Sequence, residues 1–169
     1  ESIDREHNPE FTLLELYQAF ANREDLMILM ENLFKALAVK NNIEKYKDVS
    51  LPFERLSIID FVNEKSGLNY FDNTLEEFTD YLKKNNIEVE KGMSKAKMFD
   101  AVFKKFRGEI KGPLFVIDHP IDLSPLAKAK DDDPRIASRF QLLVNGLEVC
   151  NGWSELNDPI EQSNRFKSQ

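Results

Sequence analysis

Strict alternation of apolar and polar positions marks the start of this chain and then gives way to a period near 3.6. In "EFTLLELYQAF", residues 10–20, Phe11, Leu13, Glu15 and Tyr17 fall on one face of a predicted strand. A carboxylate and a phenol on the same face as Phe11 make poor core and suit the floor of a pocket. Leu26, Met30, Leu33, Phe34 and Leu37 then recur at helical spacing behind an Asn22/Asp25 cap signature, and are read as a core stripe. "LPFERLSII" predicts a short strand after a proline, and "DFVNEKSGL" a helix that stops near Gly67. Two amphipathic helices follow. One starts after Thr74, with Glu77 completing a capping box; the other starts after Ser94 and carries Met98, Phe99, Val102, Phe103 and Phe106. The Lys- and Glu-rich stretch of about 66–111 therefore reads as a helical insertion riding on a sheet.

The chain then returns to strands. "GPLFVIDHP" is a continuous apolar run ending at His119-Pro120, and "IDLSPLAKAKDDDPR" a long polar loop. "RFQLLV" and "LEVCNGW" flank Asn145-Gly146, the strongest short-range signal for a tight hairpin. Alternation places Asn151, Trp153 and Glu155 on one hairpin face and Gln141, Leu143 and Glu148 on the other. For Glu148 and Asn151 to act on one ligand, a bulge is needed between them, and Gly152 beside Cys150 is a suitable place. An edge hairpin with its polar residues turned outward fits the same pattern, and the pattern alone leaves both readings open. The last residues, "EQSNRFKSQ", form a helical phrase.

Composition narrows the function classes. The chain has 169 residues, 41% hydrophobic with thirteen Phe, a globular composition. A net charge of −7 argues against non-specific adhesion to nucleic acid or anionic lipid. Lys91, Lys95, Lys97, Lys104, Lys105 and Lys111 read as a solvated face. Cys150, the single cysteine, can form neither an internal disulfide nor a zinc knuckle; it reads as core filler in a reducing, cytosolic protein. No apolar run approaches the roughly 18 residues of a membrane span. His7 and His119 have no third ligand at metal spacing, so zinc is not expected. His7, in the "REHNPEF" turn, could donate to a phosphate, whereas His119 before proline reads as structural. Glycine-rich phosphate loops are absent, and Ser124 has no paired base in sequence.

Three blocks carry a resemblance. "HNPEFTLLELY", "HPIDLSPLAK" and "NGLEVCNGWSELNDPIEQSNRF" resemble, in order and at plausible separation, segments of class II lysyl-tRNA synthetases. The resemblance covers essentially the whole chain, with 66–111 matching only in character. It implies an α+β class II aminoacyl-tRNA synthetase catalytic fold, an antiparallel sheet flanked by helices with a helical insertion. Residues 1–169 would be a partial catalytic domain between motif 2 and motif 3. Glu1 would be the last residue of the motif 2 "RxE" signature. Motif 1, motif 3 and the anticodon-binding domain would lie outside, and both ends read as cut.

The same resemblance implies a site. Glu155 would grip the ε-amino group of lysine, with Tyr17 and Glu15 beside it, Trp153 as a wall against the methylenes and Asn151 on the α-carboxylate. For ATP it implies Glu1 on the adenine amino group, Phe11 stacked on the ring, His7 and Asn8 in the motif 2 loop, and Glu148 with Val149 near the phosphates. Glu148 would bind magnesium. The family's second acidic ligand falls at Gln141, which is a departure and leaves that residue doubtful as a ligand. No side chain is implied as a nucleophile. The activity implied is ATP-dependent activation of lysine and its transfer to tRNA(Lys) in translation, by a cytoplasmic homodimer, with no membrane partner. The rivals are the paralogue that attaches lysine to elongation factor P, and a non-catalytic module derived from a synthetase. "SPLAK" and "SELNDP" match the tRNA enzyme better than the paralogue. By this resemblance the 169 residues alone would be inactive.

Overall fold

The computed structural model of the chain describes residue 3 and residues 8–168. The order of elements is α1 (Arg23–Lys40), α2 (Glu44–Lys47), β1 (Glu54–Ser57), α3 (Ile58–Ser66), α4 (Leu75–Lys84), α5 (Lys95–Phe106), β2 (Leu114–Ile117), β3 (Arg139–Val144), β4 (Leu147–Trp153) and α6 (Pro159–Ser168). The four strands form one sheet in the order β1-β2-β3-β4. β1 runs parallel to β2, whereas β2/β3 and β3/β4 are antiparallel, so the sheet is mixed within an α+β fold.

The sheet is covered on both faces. Leu114, Val116 and Leu143 point toward α3, α4 and α5, where Phe78, Phe99 and Val102 are fully buried. Phe115, Phe140 and Leu142 point the other way, toward Met27 of α1 and Phe53. The continuous apolar run of β2 follows from this, since a strand covered on both sides has no polar face. The two helices expected within 66–111 form as the sequence predicts. Thr74 and Glu77 form the capping box of α4, Ser94 caps α5, and Gly67 ends α3 at φ 74 in the left-handed region. The lysines of the insertion are exposed except Lys95, whose ammonium lies 5.0 Å from the Tyr70 ring centroid.

Two expectations change. The segment 11–18 contains no strand: it makes no ladder among the described residues, and Phe11, Leu13, Glu15 and Tyr17 are all exposed. Alternation records which side chains could share a face, but a strand also needs a neighbour for its N–H and C=O groups. In α1 the Asn22/Asp25 capping box is present, and Leu26, Met30 and Phe34 of the expected stripe pack partly buried on the second core cluster, but the fully buried positions are Met27, Glu31 and Ala38, and Leu37 is exposed.

Gly152 sets a packing limit in the hairpin. A Cβ there would lie 2.6 Å from Phe140 Cζ. Phe140 is 1% exposed and meets Phe115 edge-on at 5.1 Å, so its ring has no room to retreat. Gly152→Ala is expected to cost about 1–3 kcal/mol, the usual range for overpacking. Urea unfolding of the full protein checks this, and Phe140→Leu in the same chain should recover part of the loss. An unchanged midpoint would show that the two strands are not this close.

Candidate functional site

The β3–β4 hairpin turns at Asn145 (φ 52) and Gly146 (φ 77), the two positive values that a two-residue turn matched to the strand twist requires. From the open end the register runs Arg139↔Trp153, Phe140↔Gly152, Gln141↔Asn151 and Leu142↔Cys150. It then shifts, and Leu143 pairs with Glu148, leaving Val149 as the extra residue. Partners directly opposite share a face. The extra residue therefore returns Glu148 to the face of Gln141, Asn151 and Trp153. The bulge expected between Glu148 and Asn151 is present, centred on Val149 and not at Gly152. Gly152 serves the close approach of Phe140 instead.

On this face polar groups form a connected row. Gln141 Nε2 donates to Glu148 Oε2 at 2.5 Å, and Gln141 Oε1 lies 3.0 Å from His119 Nε2. Arg139 Nε donates to Asn151 Oδ1 at 3.0 Å, which leaves the NH2 of Asn151 as its donor side. The Arg139 guanidinium also reaches the Leu123 carbonyl and Ser124 Oγ, both at 3.0 Å. Past the strand end, Trp153 Nε1 donates to Glu155 Oε2 at 3.1 Å. Glu155 is held by its backbone as well, in a bridge with Ala127. Arg165 of α6 donates to the Ala127 carbonyl at 2.7 Å, so the "SPLAK" loop is clamped between the hairpin and the last helix.

Desolvation shifts three groups here. It pushes the Glu148 carboxyl up, against the pull of Arg139 and Arg107, although the residue as a whole is exposed. It pushes Arg139 down, with Glu148 and Asp100 opposing. It also raises the Cys150 thiol, in keeping with a half-buried filler that packs on the α1 side. His119, 2% exposed, is driven down to about 3 by burial first and the nearby Arg139 charge second.

This last shift has a sign. A base whose folded pKa lies below its unfolded value takes up protons on unfolding, so stability is present above the unfolded pKa of 6.5 and falls as pH drops toward 3. One such group contributes about 1.4 kcal/mol per pH unit inside that window. Unfolding free energy of the full protein should fall by about 2 kcal/mol between pH 6.5 and 5, and His119→Gln should flatten the slope. Equal slopes in the two proteins would show that His119 does not titrate as a buried neutral base.

The structure brings together Gln141, Glu148, Asn151 and Trp153 on one face, with Val149 at the bulge and Glu155 bonded to the Trp153 indole. It does not join Asn8, Phe11, Glu15 and Tyr17 to that face; they lie on the exposed, unpaired segment. Glu1 and His7 lie outside the described residues. Arg139 was missed by sequence reasoning. Its signal was available, since it lies two residues before Gln141 and therefore on the same face.

The magnesium site implied by the resemblance meets a donor set of one carboxylate, Glu148, with a carboxamide beside it. That set fits a cation that uses one or two protein carboxylates and takes the rest of its shell from phosphates and water. Among the described residues no three His, Cys, Asp or Glu side chains gather as a metal cluster, and no helix is long and apolar enough to cross a membrane.

The fold is thus a mixed sheet with helices on both faces, and its bulged last hairpin carries the polar row. The chain belongs to the family of class II tRNA synthetases (D, K and N), whose model matches residues 1–169. It is similar to lysine–tRNA ligase of Thermoanaerobacter pseudethanolicus, 42% identical over 178 residues, which are 100% of this chain and 36% of that protein. The lysine–tRNA ligase of Thermosipho africanus is 38% identical over 179 residues, covering 100% of this chain and 35% of its own length. That of Bacillus subtilis is 35% identical over 178 residues, with 100% and 36% covered. The chain thus spans about a third of the length of the curated relatives it matches.

Proposed function

We propose that these residues belong to a lysine–tRNA ligase, which activates lysine with ATP and transfers it to tRNA(Lys) in translation. The observation that carries this reading is the bulged hairpin, where Asn151, Trp153 and Glu155 offer an amide donor, an aromatic wall and a carboxylate in sequence. A ligand with a carboxylate at one end, methylenes between and a cation at the other matches that series. Glu155 pairs with the ε-ammonium, its free-state bond to the Trp153 indole holding the carboxylate in place. The reading extends to Tyr17 and Glu15 of the N-terminal segment, which lie off the hairpin face in this structure. The Asn151 NH2 group donates to the α-carboxylate.

ATP is held by Glu1 and Phe11 at the adenine, by His7 and Asn8, and by Glu148 with the Val149 backbone near the phosphates. Lysine's carboxylate oxygen attacks the α-phosphorus in line, pyrophosphate leaves, and the lysyl group passes to the 3′ end of tRNA. No side chain forms a covalent bond, so the protein acts by holding the reactants and stabilising charge. Glu148 would hold magnesium, which when bound would supply neutralisation of the phosphate charge. The protein works in the cytoplasm as a homodimer.

ATP–pyrophosphate exchange by the full protein tests this. Exchange should depend on lysine and remain at background with aspartate or asparagine. Exchange driven by either of those would assign the site to another branch of the family, and no exchange with any amino acid would favour a non-catalytic module.

A further inference from the structure

We propose that Gln141 is a strut and not a metal ligand: its carboxamide spans from His119 to Glu148, and the divalent cation meets one protein carboxylate, Glu148. This rests on the reading of Glu148 as the cation-binding residue of a nucleotide site.

The argument is one of donors and acceptors. A carboxamide has one oxygen and one NH2 group. At 2.5 Å from Glu148 Oε2, a carboxylate oxygen that only accepts, the NH2 group must face Glu148. The opposite amide orientation would set two oxygens against each other. The Gln141 oxygen is then taken by His119 Nε2 at 3.0 Å, so Nε2 must carry a proton. The charge at Glu148 fixes the amide, and the amide fixes the imidazole tautomer.

Two independent observations agree. Among the described residues His119 Nδ1 is buried and has no hydrogen-bond partner, as a ring whose proton sits on the other nitrogen allows. The His119 backbone is held too, its carbonyl accepting from Ala137 N at 2.8 Å. The Gln141 oxygen keeps a second lone pair, but it is turned toward His119 while the NH2 group faces Glu148. To join Glu148 on a cation the amide would have to turn over, setting its NH2 group against the buried His119 N–H and leaving that N–H unpaired. His119 is therefore a positioning residue, acting on Glu148 through Gln141.

The first test is the tautomer. In long-range 1H–15N spectra of the full protein with labelled histidine, His119 should carry its proton on Nε2. Adding magnesium with a non-hydrolysable ATP analogue should leave that pattern unchanged. A proton on Nδ1, or loss of the Nε2–H signal when the ion and nucleotide bind, would overturn the proposal.

The second test reads ion affinity by manganese EPR in the presence of the same analogue. His119→Phe, which cannot donate, should weaken manganese roughly five- to tenfold, and His119→Gln should restore most of the loss. A ligand role for Gln141 predicts the reverse, since His119→Phe would free its oxygen and leave affinity equal or tighter. If the Phe variant does not fold, the tautomer of the unaltered protein decides. Failure of lysine-dependent exchange with the Nε2 tautomer intact would sink the functional reading while leaving the strut.

Discussion

Glu155→Gln in the full protein is expected to raise the lysine KM in ATP–pyrophosphate exchange at least a hundredfold while moving the ATP KM by less than about threefold. Gln keeps the length of the side chain and an acceptor for the Trp153 indole N–H, so the shape of the site is retained. What disappears is the negative charge. In the free protein Glu155 is exposed and its charge is solvated. When an ammonium is drawn against it and water leaves, the pair becomes desolvated, and a cation left without its counter-charge costs on the order of 3–5 kcal/mol. Each 1.4 kcal/mol is tenfold in affinity, so the lower end already gives more than a hundredfold. In the proposed reading ATP is held by other residues and would feel the change only at long range. A lysine KM within threefold of the unaltered protein would remove Glu155 from the amino-acid site and with it the lysine assignment.

Sequence and structure agree where the signal is local. The Asn145-Gly146 turn, the capping boxes at Asn22 and Thr74, and the apolar face of α5 each depend on residues within a few positions of one another. The hairpin face was half legible: a bulge was needed if Glu148 and Asn151 were to share one ligand, but the alternation of the strand left an ordinary edge hairpin equally open. The position of the bulge at Val149 was not legible, because the register is set by pairing with β3 and not by β4 alone. The alternation of residues 11–17 failed for a similar reason. Side-chain pattern is carried by the segment itself, but a ladder partner is not. Arg139 and His119 show the limit most clearly. Each acts on the site across 12 or 22 positions, through Asn151 and Gln141.

Glu31 is the largest departure from the expected core, and removing it is expected to cost about 3 kcal/mol of stability, the low end for breaking a buried ion pair. It is 5% exposed on α1, at a position that an apolar stripe would give to Met or Leu. Its Oε1 accepts from Phe53 N at 2.9 Å and from the Arg55 guanidinium at 2.7 Å, tying α1 to the start of β1. Arg55 in turn lies over the Phe115 ring at 5.2 Å, so the pair bridges helix and sheet beside the second core cluster. Glu31→Ala leaves a backbone N–H and a guanidinium without their shared acceptor, and the side chain of Arg55, 28% exposed, recovers only part of its hydration. Glu31→Gln should lose less, because an oxygen remains for Phe53 N. Combining Glu31→Ala with Arg55→Ala should cost less than the sum of the two, with a coupling of about 1–2 kcal/mol, since both changes remove the same contact. Urea unfolding of the four full-length proteins measures that cycle. Strict additivity, or a Glu31→Ala loss below about 0.5 kcal/mol, would mean that this carboxylate is solvated and that α1 is held to the sheet by Met27, Phe34 and Phe53 alone.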